Sequence, residues 1–265
     1  MKQLFIILTL VLFGYSQMQA QQDAFELELD DAHMVRVDDF QNLYVVSGNN
    51  SLYKYDSRLN LQFQFSFNKL GKLTDLDVSN PQKLLLFFLD YQVILYLDNT
   101  LSEIDRLNLD EMGYWSISCV GLAPDNLIWM YDTQNNTLVK IDDKGNQLYS
   151  SNEFFQEQFA KETEIKILSD QRHTLLYSPE QCLVFDAFGY YLKSLLLLND
   201  KLVLNKDFIF ILKDQKISIE ALRPRIEEFP PLDLQEESIV KDFDLFKNEY
   251  LYYLTDSKLK RIKIN

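Results

Sequence analysis

Asp30, Asp31 and His33 form the first group of side chains in this sequence that could take part in acid–base chemistry. A carboxylate beside an imidazole is an arrangement that a general base can use. No serine or cysteine with the surroundings of a nucleophile accompanies it, so we interpret the group as a solvated turn. The second histidine, His173, stands in a polar stretch between two apolar segments, and we expect it to be exposed in a loop. The histidines therefore predict no catalytic site.

Pairs of acidic residues are the second candidate, because oxygen ligands such as carboxylates are those that calcium prefers. They occur at four places in the chain: Asp38-Asp39, Asp75 with Asp77, Asp142-Asp143, and Asp242 with Asp244. None of the pairs has the three-ligand spacing of a calcium loop. We therefore predict no metal ligands and no bound cofactor.

The composition excludes several classes of protein. The chain has 265 residues, of which 47% are hydrophobic and 14% aromatic, so it can bury a large core and is not disordered. Lysine and arginine number 26 against 40 acidic residues, and the net charge of −14 argues against nucleic acid or an anionic lipid surface as a partner. Seven glycines, two histidines and two cysteines leave little material for glycine-rich phosphate loops or for zinc and haem ligation.

Residues 1–20 have the order of a secretory signal. Lys2 gives the start a positive charge, residues 4–15 are apolar, and the small residue Ala20 ends a short polar stretch. The apolar run is shorter than the stretch of about 20 residues that a membrane span needs. We therefore expect cleavage, export, and a periplasmic or envelope-associated mature chain without a membrane span in a Gram-negative bacterium. An uncleaved anchor or a buried helix is the alternative.

Cys119 and Cys182 lie far apart in sequence, each inside an apolar, strand-like segment. Cysteines in strands are commonly small buried apolar residues, and we expect that role for both. In the oxidising compartment that the leader implies, a disulfide between them is the alternative.

Short apolar runs separated by polar residues make up the rest of the chain, and helical periodicity is nearly absent. Residues 61–67 alternate between apolar and polar side chains, as a half-buried strand does. Residues 84–89 are apolar throughout, which is typical of a strand buried on both faces. The sequence therefore predicts an all-β protein.

The strands recur in a pattern of fixed length. Paired strands end in aspartates that are separated by 42, 44 and 44 positions, at Asp56, Asp98, Asp142 and Asp186. A period of about 40–45 residues with several strands in each copy is typical of propeller blades. Residues 21–265 hold six such copies, so we predict a single domain with the fold of a six-bladed β-propeller.

Residues near the two ends of the sequence indicate how the ring closes. The sixth copy stops at Asn265 after its third strand, whereas residues 25–29 form a surplus strand before the first inner strand at residues 34–38. An unpaired edge is a liability for a sheet. We therefore predict that the N-terminal strand pairs with the last blade and supplies its fourth strand.

Residues 37–46, together with Lys54-Tyr55-Asp56, resemble blades of the six-bladed propeller superfamily that includes NHL-repeat and TolB-like proteins. Residues 122–132 resemble the same blade. The chain departs from that pattern in its few glycines, since only Gly145 and Gly189 fall in the turn before a fourth strand; we expect Asn and Asp to replace glycine elsewhere.

The resemblance implies a fold rather than a function, because this fold carries hydrolases, dehydrogenases and binding modules. Lactonase-type members bind a metal around the central axis. If this chain did the same, the resemblance implies Asp38, Asp77 and Asp244 as the carboxylates that face the axis.

Residues 151–162 contain the candidate partner-binding residues. Phe155 and Phe159 are four positions apart, so a short helix would carry both rings on one face, with Phe154 at its edge. An exposed aromatic patch of this kind would bind a partner protein. The alternative is that the rings cover the propeller's own core.

The sequence therefore predicts a non-catalytic, exported propeller that acts as a protein-interaction scaffold in the bacterial cell envelope, as an accessory of an outer-membrane assembly or protein-secretion complex. One alternative is a lactonase- or dehydrogenase-like enzyme with a central pocket. Another is a glycan-binding module that uses the aromatic strands.

Overall fold

The computed structural model of the chain describes residues 25–151, 159, 164–223, 231–234, 236, 238–247 and 249–264. Within them the chain forms six antiparallel sheets of four strands each, which we call blades one to six. No helix in these ranges has the length and apolar character that crossing a membrane requires.

The strands follow one another in chain order. After β1 (Phe25–Glu28), blade one consists of β2 (Ala32–Val37), β3 (Leu43–Ser47), β4 (Ser51–Tyr55) and β5 (Leu61–Ser66). Blade two consists of β6 (Asp75–Asp77), β7 (Leu84–Phe88), β8 (Val93–Leu97) and β9 (Glu103–Asn108), with a 3-10 helix at Leu89–Tyr91. Blade three consists of β10 (Ile117–Leu122), β11 (Ile128–Asp132), β12 (Thr137–Ile141) and β13 (Gln147–Ser150).

The second half repeats this plan. Blade four consists of β14 (Lys166–Ser169), β15 (His173–Tyr177), β16 (Gln181–Asp186) and β17 (Tyr191–Leu196). Blade five consists of β18 (Lys201–Asn205), β19 (Phe208–Lys213), β20 (Lys216–Ala221) and β21 (Leu232–Asp233). Blade six joins β22 (Asp242–Phe246), β23 (Tyr250–Leu254) and β24 (Lys258–Lys263) to β1.

The N-terminal strand closes the ring as the sequence predicted. β1 pairs antiparallel with β24, and Leu27 lies opposite Leu259 in this pair. The fourth strand of blade six therefore comes from the other end of the chain, so that the edge of β24 is covered and the first and last blades are held together.

The buried hydrophobic residues of the described ranges form six clusters, one between each pair of neighbouring blades. Leu52 of blade one packs with Leu86 of blade two, for example, and Leu43 of blade one packs with Tyr252 of blade six. The other four clusters join blades two and three, three and four, four and five, and five and six. A closed series of six interfaces requires that the blades stand in a ring, and this confirms the six-bladed β-propeller.

The aspartates that mark the repeat stabilise the turn between the third and fourth strands of a blade. Asp142 Oδ1 accepts hydrogen bonds from the backbone nitrogens of Lys144, at 2.9 Å, and Asn146, at 2.8 Å. The aspartates of blades one, two and four accept the corresponding pair of bonds, at Asp56, Asp98 and Asp186. The repeat seen in the sequence is therefore a repeated turn.

The third residue after each of these aspartates has a positive φ. Gly145 and Gly189 occupy this position in blades three and four, as expected, with φ of 80° and 92°. The prediction that Asn or Asp replaces glycine is wrong at this position in the other two blades, where Leu59 and Leu101 have φ of 66° and 60°. It is confirmed in other turns, where Asn50, Asn126 and Asn136 have φ of 57°, 62° and 52°. Leu101 is buried in the cluster between blades one and two, and this burial offsets the cost of about 1–2 kcal/mol for a left-handed backbone.

The two cysteines lie in different interblade clusters. Cys119 packs between blades three and four and Cys182 between blades four and five, and both thiols are free and buried. Burial raises the pKa of Cys119 far above its usual range and that of Cys182 to about 12. The expectation of two buried apolar thiols is confirmed.

Candidate functional site

A cavity lies on the axis of the ring, at the end where the first strand of each blade begins. Residues at or just before the starts of β2, β6, β10, β14, β18 and β22 all line it, so these six strands surround the axis and run in the same direction. Because successive strands are antiparallel, the connections between second and third strands lie at the same end. We call this end of the molecule the cavity face.

The cavity has a volume of about 1330 Å³. This exceeds the range of about 300–1,000 Å³ that is usual for small-molecule sites. Its wall combines basic, acidic, hydroxyl and aromatic side chains, among them His33, Lys72, Ser118, Glu164, Tyr177 and Lys201.

Ion pairs around the buried Asp242 join blades six, one and five, and of their members Lys201 lines the cavity. Asp242 Oδ2 accepts hydrogen bonds from Arg36 Nη1, at 2.8 Å, and from the backbone nitrogen of Val35, at 3.0 Å. Lys201 Nζ lies 3.3 Å from the other carboxylate oxygen of Asp242. Burial opposes ionisation of Asp242, but Arg36 and Lys201 outweigh it and lower its pKa.

Asp244 lies two residues further along β22. Its carboxylate accepts hydrogen bonds from the backbone nitrogens of Val37, at 2.8 Å, and Leu245, at 2.8 Å. Burial nevertheless raises the pKa of Asp244 to about 6, since Arg36 and these bonds offset the burial only in part.

The acidic pair of blade two repeats this arrangement. Asp77 accepts a hydrogen bond from the backbone nitrogen of Leu122 at 2.8 Å, and Asp75 accepts one from Val120 at 3.4 Å. Each pair therefore joins the inner strand of its own blade to that of the next, so the role of these carboxylates is to hold the ring together around the axis.

The three aspartates that the lactonase resemblance implies as axial do not meet. Asp38 follows β2 at the opposite end from the cavity, where it accepts hydrogen bonds from the backbone nitrogens of Phe40 and Asn42. Asp77 and Asp244 are engaged by neighbouring backbone groups, as described above. Across the described ranges, no three His, Cys, Asp or Glu side chains come together in a way that could hold a metal ion.

Three lysines of the cavity differ in how fully their ammonium groups are used. Lys166 Nζ has three acceptors: the backbone oxygen of Thr74 at 2.8 Å, Asp75 at 2.8 Å and Glu164 at 3.2 Å. Lys201 Nζ has only the contact with Asp242 at 3.3 Å among the described residues. Lys72 forms no hydrogen bond or ion pair with any residue that the structure describes. Lys201 and Lys72 therefore have ammonium N–H donors that the described residues leave unused.

His33 lies on the inner strand β2 and lines the cavity, so the interpretation as a solvated turn is wrong for this residue. Its Nε2 is buried and has no hydrogen-bond partner among the residues described. Burial, with a further contribution from Lys72, lowers the pKa of His33. The imidazole is therefore neutral at pH 7 and able to accept a proton.

His173 is also not where the sequence predicted. It begins β15 with 6% of its surface exposed, although a polar turn precedes it. Its backbone nitrogen donates to Asp170 Oδ1 at 2.8 Å. The polar neighbours in the sequence belong to the turn, whereas the histidine already belongs to the buried strand.

Of the three candidate partner-binding phenylalanines, Phe154 and Phe155 lie outside the described residues. Phe159 is 8% exposed and lines the cavity, where its ring packs edge-on against Tyr131 with centroids 5.8 Å apart. Phe159 therefore contributes to the wall of the cavity, and this agrees with the alternative that the ring covers the propeller's own core.

Exposed apolar side chains surround the mouth of the cavity. Each of them lines it or lies within two residues of a lining residue in the sequence. Together they come from four connections on the cavity face: Leu89, Tyr91, Trp115, Leu198 and Ile239, with exposed fractions of 39, 56, 68, 69 and 69%. We call these five residues the apolar rim. They are not recognisable as a group in the sequence, because there they are single apolar residues far apart and only the ring brings them to one face.

Comparisons with known proteins agree with the fold. No protein-family model and no curated protein sequence matches the chain. Among solved structures, virginiamycin B lyase from Staphylococcus aureus is 11% identical, with a TM-score of 0.63 over 92% of this chain and 100% of that one.

Two further structures are similar in fold to this chain. The Pan2 WD40 domain of Neurospora crassa is 11% identical, with a TM-score of 0.62 over 89% of this chain and 91% of that one. BamB from Moraxella catarrhalis is 12% identical, with a TM-score of 0.53 over 89% of this chain and 84% of that one. At these identities the likeness establishes the propeller fold alone.

Proposed function

We propose that this chain is an exported, non-catalytic propeller that acts as a protein-interaction scaffold in the cell envelope of a Gram-negative bacterium. The apolar rim carries the proposal. Five exposed apolar side chains on four separate connections lie around one opening, and two of them, Tyr91 and Trp115, are of the types that dominate binding energy in protein interfaces.

The charge and the leader support the same role. A net charge of −14 disfavours binding to nucleic acid and to anionic lipid, and an exposed apolar rim suits a protein partner. Residues 1–20 have the pattern of a secretory signal, which directs the chain to the envelope. In that setting the propeller would serve as an accessory of an outer-membrane assembly or protein-secretion complex.

Site-specific photocrosslinking tests the proposal in cells. A photoreactive amino acid at position 91 or 115 should crosslink the full chain to one discrete envelope protein. Position 188 is the matched control, since Phe188 is 73% exposed in a turn at the opposite end of the ring. Equal crosslinking from all three positions, crosslinking from none, or retention of an uncleaved chain in the cytoplasm would contradict the proposal.

His33 supports a second candidate function, an enzyme that uses the axial cavity. A neutral imidazole that lines the cavity would act as a general base for lactone hydrolysis or a related reaction once a substrate reached its buried Nε2. This candidate predicts turnover in a panel of lactones that is lost in His33→Ala and kept in His173→Ala. Elemental and quinone analysis of the purified protein tests the lactonase- and dehydrogenase-like versions separately.

A further inference from the structure

Lys72, Lys166 and Lys201 line the cavity together with the acidic residue Glu164. Lys166 Nζ lies 3.2 Å from Glu164 Oε1. Lys72 and Lys201 line the same cavity, and the positive charges of all three lysines lower the pKa of Glu164. One carboxylate therefore lies within the field of three cations.

A carboxylate from another molecule could replace Glu164 in its contact with Lys166. The Glu164 side chain is 74% exposed, and Lys166 would keep Thr74 and Asp75 as acceptors without it. Lys201 and Lys72, as described above, have donors that no described residue uses. An incoming carboxylate would find unused donors here and would have to displace one exposed acid.

The other charges at the cavity do not occupy these donors. Lys241 lies 3.3 Å from Asp256, and Asp200 pairs with Lys213 at 3.2 Å. Asp90 also lines the cavity, and no hydrogen bond or ion pair joins its side chain to Lys72 or Lys201 in the described part of the chain. Lys72 and Lys201 therefore form a small positively charged area in the cavity of a molecule whose net charge is −14.

We propose that the axial cavity binds a carboxylate-rich segment of a partner protein through Lys201, Lys72 and Lys166, and that Glu164 holds this position as an internal ligand until the partner displaces it. This inference names the chemistry of the partner and rests on the proposed function. A volume of about 1330 Å³ admits a peptide of several residues. Because exposed charges are screened beyond about 8 Å at physiological salt, the lysines can attract such a segment at short range despite the acidic surface.

Fluorescence anisotropy with a labelled hexaglutamate peptide tests the inference on the purified full chain at physiological salt. We expect the wild type to bind hexaglutamate and not hexaglutamine. Removal of the internal ligand in Glu164→Gln should tighten binding about tenfold, and Lys72→Gln and Lys201→Gln should weaken it about tenfold. Lys72 is exposed, so its variant keeps the test valid if loss of the half-buried Lys201 prevents folding.

Lys216→Gln is the matched control, because Lys216 carries the same charge on β20 and is 61% exposed. It should change the affinity less than twofold. An equal loss in Lys216→Gln and Lys72→Gln, no gain in Glu164→Gln, no binding of hexaglutamate, or equally tight binding of inorganic phosphate would overturn the inference. If the peptide fails while positions 91 and 115 still crosslink to one partner, the inference fails and the scaffold function stands.

Discussion

Single carboxylates serve two structural purposes in this propeller. Those that follow a third strand stabilise a turn, as Asp142 does, and those on the inner strands, such as Asp242, hold neighbouring blades together. Both kinds looked like candidate metal ligands in the sequence, because spacing alone does not show which donors a carboxylate will meet. Their different surroundings give them different responses to pH.

Asp142→Ala should lower the melting temperature by about 2–4 °C, because the turn loses its bonds to Lys144 and Asn146. The side-chain bond from Asn146 is the largest contribution that lowers the pKa of Asp142. The stabilisation is therefore present above pH about 4 and disappears as the pH falls through the lowered pKa. Thermal melts at pH 7 and pH 2 measure this. Asp143→Ala, with the same charge change, should melt like the wild type, and equal losses in both variants would contradict the role of the turn.

Asp244→Asn should stabilise the protein at neutral pH. Burial raises the pKa of Asp244 to about 6, so its contribution to stability is full below pH about 4 and is lost as the pH rises through 6. Relative to the wild type, the free energy of unfolding of the variant should rise by roughly 1–3 kcal/mol between pH 4 and pH 7.5, measured by urea denaturation.

Asp242→Asn is the control for this experiment, because its effect should have the opposite sign. The pKa of Asp242 is lowered, and its loss leaves Arg36 and Lys201 buried beside a neutral group. That variant should lose stability at pH 7.5. If Asp244→Asn changed the free energy of unfolding by the same amount at both pH values, ionisation of Asp244 would not be the cause of the change.

At the scale of elements, β1 is the strand whose position matters most for the ring. It covers the edge of β24 and packs Leu27 and Phe25 into the cluster between blades six and one. The strand is four residues long, so its pairing depends on those side chains as much as on the backbone bonds.

Leu27→Asp should lower the free energy of unfolding by about 2 kcal/mol or more, because a charge replaces an apolar group in the closing interface. The exposed edge of β24 should also promote aggregation. Thermal melts with light scattering measure both effects. Leu61→Asp makes the same change on β5, where Leu61 is 53% exposed, and should be nearly neutral; if it destabilised the protein as strongly, closure by β1 would not be the reason.

At the scale of the whole molecule, the blades depend on one another, because the described residues form no hydrophobic cluster within a single blade. Every hydrophobic cluster joins two blades, so the loss of one blade exposes apolar surface on both neighbours. We therefore expect the ring to unfold as one cooperative unit.

Differential scanning calorimetry tests this cooperativity. The purified chain should give a single transition, with a calorimetric enthalpy equal to the van't Hoff enthalpy. Separate transitions, or a calorimetric enthalpy well above the van't Hoff value, would mean that groups of blades unfold independently.

Much of the architecture could be read from the sequence. An alternating apolar run indicates a strand that is buried on one face, and a continuous run indicates a strand that is buried on both faces. Each strand shows this pattern within its own few residues. Asp56, Asp98, Asp142 and Asp186 gave the period, because a turn of one geometry uses the same residue each time it recurs. These local requirements were enough to predict six blades and the closing strand.

The axial cavity was decided by the tertiary structure. His33, Lys72, Glu164 and Lys201 belong to different blades, and no local requirement connects them, so their spacing in the chain carries no sign that they meet. The same holds for the apolar rim, and for His33 and His173, whose polar sequence neighbours suggested exposure. Local chemistry selects strands and turns, whereas the site arises from side chains that only the closed ring brings together.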